Sequence, residues 1–273
     1  MKLPIAAALF LATSAALTAS TAFAQDLPKG DCAAPAPRQD LSGCDFSGRD
    51  LAGRDFSGTV LENARFNGAR LEGARFEKAM AKWTNFTGAR LEGARFAGAN
   101  LFHARFDGAD LSDADLQGAN LFGAFLIGTR APRANLDGAF MKDTHMPEAD
   151  LSGARLRKVY GLRFILDGSK LAGADLSEAD LTGANLEAVD FTAARLAGTR
   201  LSGAVLPEAK FADADLSGAD FTHVDVAESD FRGARNIPAA LQAQLDKASQ
   251  GARGVGDRKS VVEGKSVDLG GRR

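Results

Sequence analysis

The residues of this chain best suited to chemistry are three histidines and two cysteines. His103, His145 and His223 are the only histidines, and none has a nucleophile fixed beside it that it could activate. Cys32 and Cys44 are the only cysteines, and two thiols without a nearby histidine are too few ligands for a zinc site. We therefore predict no catalytic residue, no metal site, no cofactor and no enzymatic activity.

Charged side chains recur at intervals of five residues. Aspartates near the C-terminal end fall on successive sides of the coil inferred below, so they point apart and cannot form an acid–base pair or a calcium site. They are Asp215, Asp220, Asp225 and Asp230. A series of arginines could form an anion-binding stripe or an ordinary solvated surface balanced by neighbouring carboxylates. It comprises Arg65, Arg70, Arg75, Arg90, Arg95 and Arg105.

Apolar and aromatic side chains cluster at positions that the rest of the chain fills with polar residues, and the cluster contains the only Trp and the only Tyr. Its members are Met80, Trp83, Phe102, Phe122, Phe125, Phe140, Tyr160, Leu162 and Ile165. They could form a small satellite core under a local bulge at 157–166, or a surface that binds another molecule. Because no inserted loop is available to cover them, we expect an intermolecular contact centred on Phe122 and Tyr160. The contact would be a homodimer or a complex with a protein partner.

These residues belong to a five-residue repeat that runs through residues 39–233 without a change of register. We call its main apolar residue the centre. Centres fall at every fifth position from Leu41 to Phe231, and of these 39 positions 22 are Leu and 11 are Phe. A small residue usually lies two positions before the centre, Asp, Asn or Arg often lies one before it, and Gly often lies two after it. A fixed short period of this kind predicts a solenoid.

Each repeat unit is predicted to be a very short strand followed by a corner. In an extended segment, the small residue and the centre point to the same face, so both face inward and the residue between them faces solvent. Gly two positions after the centre suits the third residue of a type II turn, where φ is positive. Pro132, Pro147 and Pro207 occupy the preceding position, which that turn favours for proline.

The order of the centres predicts four sides per coil. From Leu41 to Phe106 the centres alternate between Leu and Phe, with Ala81 as the one exception. An even number of sides keeps each column of centres uniform, so that Phe46 lies below Phe66, whereas three sides would mix Leu with Phe. Four is the smallest reasonable even number, and it divides residues 39–233 into nearly ten coils.

At this point the chain resembles the pentapeptide-repeat family, whose units read A(D/N)LXX. The runs ADLSEADLTGANLE (174–187) and ADLSGADF (214–221) are close to that consensus, and the resemblance covers residues 39–233. It implies an all-β fold, a right-handed quadrilateral β-helix solenoid. Some members of the family are dimeric DNA mimics that protect or inhibit DNA gyrase, but members share a scaffold rather than an activity.

The N-terminal end is predicted to be closed by residues 25–38. Cys32 and Cys44 flank the first coil, and in an oxidising compartment such a pair is expected to be joined. A disulfide would hold this segment over the open end, where unpaired strand edges invite aggregation. Two buried reduced thiols are the alternative.

The C-terminal end is predicted to be closed by a short helix at 236–249. Pro238 suits a first helical turn, and Ile237, Leu241 and Leu245 give an apolar stripe that could cover the last coil. Residues 250–273 are polar and rich in Gly, and we expect them to be disordered. Within them, residues 257–273 look like the translation of a sequencing adapter, so we draw no biology from them.

Residues 1–24 have the pattern of a cleavable secretory signal peptide. Lys2 precedes an apolar run, and small residues at Ala22 and Ala24 precede a predicted cut before Gln25. The residue directly after the cut is Gln25 and not the Cys that would carry a lipid anchor, and no later stretch is long and apolar enough to span a bilayer. We therefore expect a periplasmic or secreted protein.

Together these patterns predict a non-enzymatic scaffold that binds a protein, or has a structural role, through the aromatic cluster. The net charge of −2 argues against nucleic acid as a partner, and no small-molecule substrate is evident. A gyrase-binding DNA mimic is the first alternative, but that role needs a strongly acidic surface and a cytoplasmic location. An enzyme with a site at the 157–166 bulge is the second.

Overall fold

The computed structural model of the protein describes residues 27–253, with side chains as far as residue 247. Within these residues the chain winds as a right-handed, four-sided β-helix, which is followed by one α-helix, α1 (Ala239–Arg253). The strands are isolated parallel bridges one residue long, which recur every five residues from Asp40 to Arg235. The predicted signal peptide (1–24) and the adapter-like segment (257–273) lie outside the described residues.

Bridge partners within the repeat are 20 residues apart, which gives four sides of five residues. Asp45 pairs with Arg65, and Arg65 pairs in turn with Asn85. The N–H of Phe46 donates to the carbonyl of Arg65 at 2.7 Å, and the N–H of Arg65 donates to the carbonyl of Cys44 at 2.9 Å. The prediction of a four-sided coil is confirmed.

The corners have the predicted type II geometry. All 39 residues that lie two positions after a centre have positive φ, between 52° and 71°. At the first corner the φ of Gly43 is 71°, and the N–H of Cys44 closes the turn on the carbonyl of Leu41 at 3.1 Å. Gly fills 22 of these corner positions, and the other 17 hold side chains in the left-handed region that glycine adopts most easily.

The core is a set of uniform columns of side chains. Phe46 and Phe66 stack with ring centroids 4.7 Å apart, and Phe56 and Phe76 stack at 5.0 Å on the opposite side. The two Phe columns meet edge to face across the coil, as Phe46 and Phe56 do at 5.7 Å. This geometry is the preferred one for aromatic pairs, so the alternation of Leu and Phe has a direct packing role.

Some inward positions that usually hold Ala hold Thr or Ser, and their buried hydroxyls donate to a carbonyl 23 residues earlier. Thr84 Oγ1 donates to the carbonyl of Leu61 at 2.7 Å, and Thr144 Oγ1 donates to that of Leu121 at 2.8 Å. Thr59 is different, because residue 36 lies in the N-terminal segment rather than in a coil. Its buried hydroxyl has no hydrogen-bond partner among the described residues.

The coil does not bulge at 157–166, so that prediction is wrong. The N–H of Gly161 donates to the carbonyl of Asp180 at 2.8 Å, and the ladder continues in register. A Cβ at Gly161 would lie 2.9 Å from Leu181 Cδ2 and 3.1 Å from Phe164 Cδ1. The buried Phe164 ring therefore fills the space of the missing centre, and the enzyme hypothesis loses the bulge on which it depended.

Helix α1 covers the last coil only in part. Leu241 is fully buried, and Ile237 and Leu245 pack partly buried against the core. The prediction that every centre is buried is wrong for Val226 and Phe231, which are half-buried. The reason is that no further coil lies above them and α1 is too narrow to cover the whole end.

The helix starts later and ends later than predicted. Asn236 has a φ of 57°, and its side-chain amide donates to Asp215 Oδ1 at 2.9 Å and to Ser217 Oγ at 2.8 Å. This turn delays the helix to Ala239. Helix α1 then continues to Arg253, so residues 250–253 are helical rather than disordered.

The N-terminal segment is tied to the first coil by a disulfide and by hydrogen bonds. Cys32 and Cys44 are joined, with Cα atoms 5.5 Å apart. The N–H of Gly30 donates to the carbonyl of Asp40 at 2.9 Å, and the guanidinium of Arg49 donates to the carbonyl of Ala33 at 3.1 Å. These contacts close part of the open end, as the pairing of the two cysteines predicted.

Candidate functional site

Five aromatic side chains form a continuous row along the outside of the β-helix, which we call the aromatic stripe: Trp83, Phe102, Phe122, Phe140 and Tyr160. Successive ring centroids are 5.7, 5.4, 6.1 and 5.1 Å apart. Trp83, Phe140 and Tyr160 are 48, 39 and 37% exposed, and the other two are half-buried. The row spans five coils, or roughly 19 Å at ~4.8 Å per coil.

The other predicted members of the cluster lie around the stripe, with one exception. Phe125 and Ile165 are half-buried on the next side, with His145 between them and stacked on Phe125 at 5.1 Å. Leu162 is half-buried at the corner. Met80 was predicted to be exposed but is only 9% exposed, because it lies in one column with the buried Val60 and each apolar side chain shields the other.

Four of the five rings of the stripe are stacked and present mainly their rims to solvent. The planes of Phe102 and Phe122 differ by 4°, and those of Phe140 and Tyr160 by 13°, so stacked neighbours cover each other's faces. An aromatic ring has a negative face and a positive rim. The four stacked rings therefore offer mainly C–H edges to a partner, whereas Trp83 meets Phe102 at 88° and is not part of the stack.

Two residues of this region are held in a backbone conformation that disfavours large side chains. Trp83 and His103 have φ values of 54° and 52°, in a corner column where other coils have Gly43 and Gly123. The imidazole of His103 lies so close to Gly123 that a Cβ there would be 2.5 Å from its Cε1 atom. All 17 non-glycine corners of the repeat share this conformation, so it follows from the fold and does not by itself mark Trp83 and His103 as functional.

One lysine beside the stripe lies over a ring and makes no ion pair within 4 Å among the described residues, and its charge also acts on the neighbouring Asp143. Lys142 Nζ lies 5.8 Å from the centroid of Phe122, and it makes no ion pair within residues 27–253. The neighbouring Asp143 is held by two hydrogen bonds from Arg163, at 2.6 and 2.7 Å, which lower the pKa of its carboxyl. Sequence analysis missed Lys142, although its position directly above Phe122 in a 20-residue period could have identified it.

The arginine series does not form an anion-binding stripe. All six arginines have a carboxylate within 4 Å, as in the pairs Arg65–Asp45 at 3.1 Å and Arg95–Glu77 at 2.9 Å. The solvated-surface interpretation is the one that this geometry supports. Exposed pairs of this type contribute little stability individually, ~0–1 kcal/mol each.

The C-terminal aspartates act as local caps of their own corners. The carboxylate of Asp215 accepts the N–H of Ser217 at 3.1 Å. Hydrogen bonds from the hydroxyl of Ser217 and the amide of Asn236, together with that N–H, lower the pKa of Asp215 to about 2. Within residues 27–253, no group of His, Cys, Asp or Glu side chains could hold a metal ion, and no helix is long and apolar enough to cross a membrane.

The histidines show no arrangement that would support acid–base chemistry. His103 and His145 pack against phenylalanine rings, with His103 and Phe102 centroids 4.3 Å apart, and His223 is exposed near the C-terminal end. Within the described residues, neither stripe-side imidazole makes a side-chain hydrogen bond. Their surroundings are those of packing side chains.

Comparison with known proteins identifies the family to which the repeat belongs. The sequence model of the family described as "Pentapeptide repeats" matches residues 40–79, 82–118, 114–153, 133–160, 166–198 and 199–235. No curated protein matches the chain. Among solved structures, HetL of the cyanobacterium Nostoc sp. strain PCC 7120 is 27% identical, with a TM-score of 0.51 over 72% of this chain and 89% of HetL.

HetL is described as a pentapeptide repeat protein involved in the regulation of heterocyst differentiation. A trypsin-treated variant of QnrB1, a plasmid-mediated fluoroquinolone resistance protein, is 24% identical. The match to QnrB1 covers 77% of this chain and 96% of that chain, with a TM-score of 0.38.

Proposed function

The chain belongs to the pentapeptide repeat family, and on that premise we propose that it is a non-enzymatic scaffold that binds another protein through the aromatic stripe. The observation that carries this proposal is the stripe itself, five adjacent rings that no other part of the described chain covers. Clustered aromatic side chains are enriched at protein interfaces, where they provide most of the binding energy.

The scaffold is suited to this role because it holds the stripe rigidly. Each ring is fixed to a coil whose inward residues are fully buried, so little conformational entropy is lost when a partner binds. The rod presents the rings at a constant spacing, and a solenoid surface of this type can be extended or altered one coil at a time.

We place the protein in the periplasm or outside the cell on the evidence of residues 1–24 and the cysteine pair. A disulfide at Cys32–Cys44 is compatible with an oxidising compartment. N-terminal sequencing of protein from fractionated cells tests this location. A mature N-terminus at Gln25 is expected, whereas a retained Met1 in the cytosol would contradict it.

The gyrase-binding alternative is not supported by the charge of the surface. The net charge is −2, and many outward carboxylates are neutralised by arginines one coil away. A DNA mimic requires a strongly negative surface, so we do not carry this alternative further.

A capture experiment tests the proposed function. The variant Phe102→Ser/Phe122→Ser/Tyr160→Ser removes three rings without changing any centre, so it should keep the far-UV circular dichroism spectrum of the native protein. We expect the native chain to retain a partner from extract of the cells that produce it, and the triple variant to lose that partner in quantitative mass spectrometry. Val205→Ser is the control, because it removes an exposed apolar side chain, 43% accessible, that lies two coils beyond Ile165 on the adjacent side of the rod and outside the stripe. Equal capture by a folded triple variant would overturn the proposal.

A further inference from the structure

This inference rests on the proposed function and concerns the chemistry of the partner. We infer that the aromatic stripe receives an acidic segment of another protein, one in which Asp or Glu side chains alternate with aromatic or aliphatic ones. The stripe and the charges that border it carry this inference together.

The first part of the evidence is the orientation of the rings. Because Phe102, Phe122, Phe140 and Tyr160 are stacked face on face, the surface that a partner meets consists of ring rims. Ring rims attract groups that are rich in electrons, such as carboxylate oxygens, carbonyl oxygens and the faces of other rings. A basic segment would bring positive charge against these positive rims and would be repelled.

The second part is the balance of charge around the stripe. Three carboxylates at its borders are each held by a cation: Glu62 by Lys82 at 3.3 Å, Asp143 by Arg163 at 2.6 Å and Asp180 by Arg200 at 2.8 Å. Lys142, above Phe122, makes no ion pair within residues 27–253. The charge left over at the stripe is therefore positive, and complementary charge favours encounter with an acidic partner.

Other occupants fit this surface less well. A second copy of the chain would bring positive rims against positive rims. It would also bring the two Lys142 side chains close to each other. A polysaccharide needs open ring faces, and stacking closes most of them. An anionic membrane would have to desolvate the polar Asn100 and Asn120 and the ion pairs beside the narrow row.

Trp83 makes the inference measurable, because it is the only Trp in the chain and lies at one end of the stripe. We would titrate the full mature chain with three synthetic peptides of six residues, about 20 Å long when extended, which matches the stripe. The peptides alternate three shared apolar positions with three positions that are all Glu, all Ser or all Lys. Binding is read from the fluorescence of Trp83 at low and high salt.

We expect the Glu peptide to bind at least tenfold more tightly than the Lys peptide, and the difference to shrink as salt rises. Lys142→Glu should lower the affinity for the Glu peptide about fivefold, which is the upper range for one exposed ion pair. Lys170→Glu makes the same change of net charge on the opposite side of the coil, and it should leave binding within twofold.

Several results would overturn the inference. These are equal or tighter binding of the Lys peptide, no effect of Lys142→Glu, or no binding of any peptide. A change in Trp83 fluorescence with protein concentration alone would indicate a second copy instead. A response to anionic phospholipid vesicles but not to peptides would indicate a membrane. If capture still depends on the stripe while the Glu and Ser peptides bind equally, the proposed function stands and only the acidic partner is wrong.

Discussion

At the scale of single residues, each position of the repeat has one physical task. The small residue and the centre pack inward, the residue between them pairs with the neighbouring coils, and the corner requires a positive φ. Asp or Asn before the centre has a further task, because its carboxylate or amide oxygen accepts the N–H two residues later. Asp40 does this with Ser42 at 2.9 Å, and Asn85 with Thr87 at 2.9 Å.

Buried hydroxyls give a matched pair of substitutions. Thr144→Val removes a buried hydrogen bond to Leu121 while keeping the shape of the side chain, and it should lower the free energy of unfolding by about 1 kcal/mol. Thr59→Val removes a hydroxyl that has no partner among the described residues, so it should be neutral or stabilising. Chemical denaturation of both variants measures the difference. Equal losses would contradict the assignment of these hydrogen bonds.

Gly161 and Phe164 are expected to be energetically coupled. Phe164→Ala alone leaves a cavity and should cost ~3–5 kcal/mol, and Gly161→Leu alone overpacks the coil by ~1–3 kcal/mol. The double variant restores the usual Leu centre and Ala neighbour, so its loss of unfolding free energy should be well below the sum of the two single losses. Additive losses in a double-mutant cycle would show that the two positions do not share one space.

At the scale of elements, the two ends of the rod are closed by different means. A disulfide and backbone hydrogen bonds hold the N-terminal segment, whereas an apolar helix face and the bonds of Asn236 to Asp215 and Ser217 hold the C-terminal one. Both devices protect strand edges that have no neighbouring coil. Each of the two caps can be weakened separately, by a substitution or by acid.

The C-terminal cap should loosen in acid. The pKa of Asp215 in the fold is about 2, below its ordinary value of 3.8, so its contribution is complete above about pH 4 and is lost as the pH falls through 2. Amide hydrogen exchange of Gln242, whose N–H donates to the carbonyl of Pro238, and of Leu245 should therefore accelerate between pH 4 and pH 2, after correction for the intrinsic rate. In Asp215→Asn the protection should already be lower at pH 5 and should change less with acid. Constant protection of native α1 down to pH 2 would contradict this role.

The N-terminal cap should depend on the disulfide. Cys32→Ser/Cys44→Ser removes a cross-link over a short loop, for which the expected loss is about 2–3 kcal/mol. We expect a lower melting temperature and faster proteolysis before Asp40, with the later coils unchanged. An unchanged melting temperature would mean that the hydrogen bonds of Gly30 and Arg49 hold the segment without it.

At the scale of the whole molecule, the five-residue period made the fold predictable from the sequence. Local exceptions to that period limited how well the binding site could be predicted. The alternation of Phe46, Leu51 and Phe56 was enough to predict four sides, because columns of equal side chains require an even number. The burial of Met80 and the regular ladder at Gly161 were not predictable in this way. Val60, one coil from Met80, shields it, and Phe164, three residues from Gly161 in the same coil, fills the space of the missing centre. Both compensations depend on packing in three dimensions.

The aromatic stripe shows the same limit. Sequence analysis placed Phe122 and Tyr160 on one side of the coil, since their numbers differ by nearly two periods. The 20-residue period does place Lys142 one coil above Phe122, but the sequence could not predict that the rings stack or how the charge of Lys142 is balanced. Ring orientation and charge pairing depend on side-chain rotamers, and these are what distinguish a binding surface from a satellite core.

Site-specific photo-crosslinking tests the central claim most directly. A benzophenone amino acid would replace Phe140 or Tyr160, one at a time, and Val205 or Lys170 as controls away from the stripe, in cells that produce the protein. The account predicts that illumination joins the chain to a different protein from both stripe positions and from neither control. No adduct at the stripe, an adduct made of two copies of this chain, or adducts from the control positions alone would contradict it.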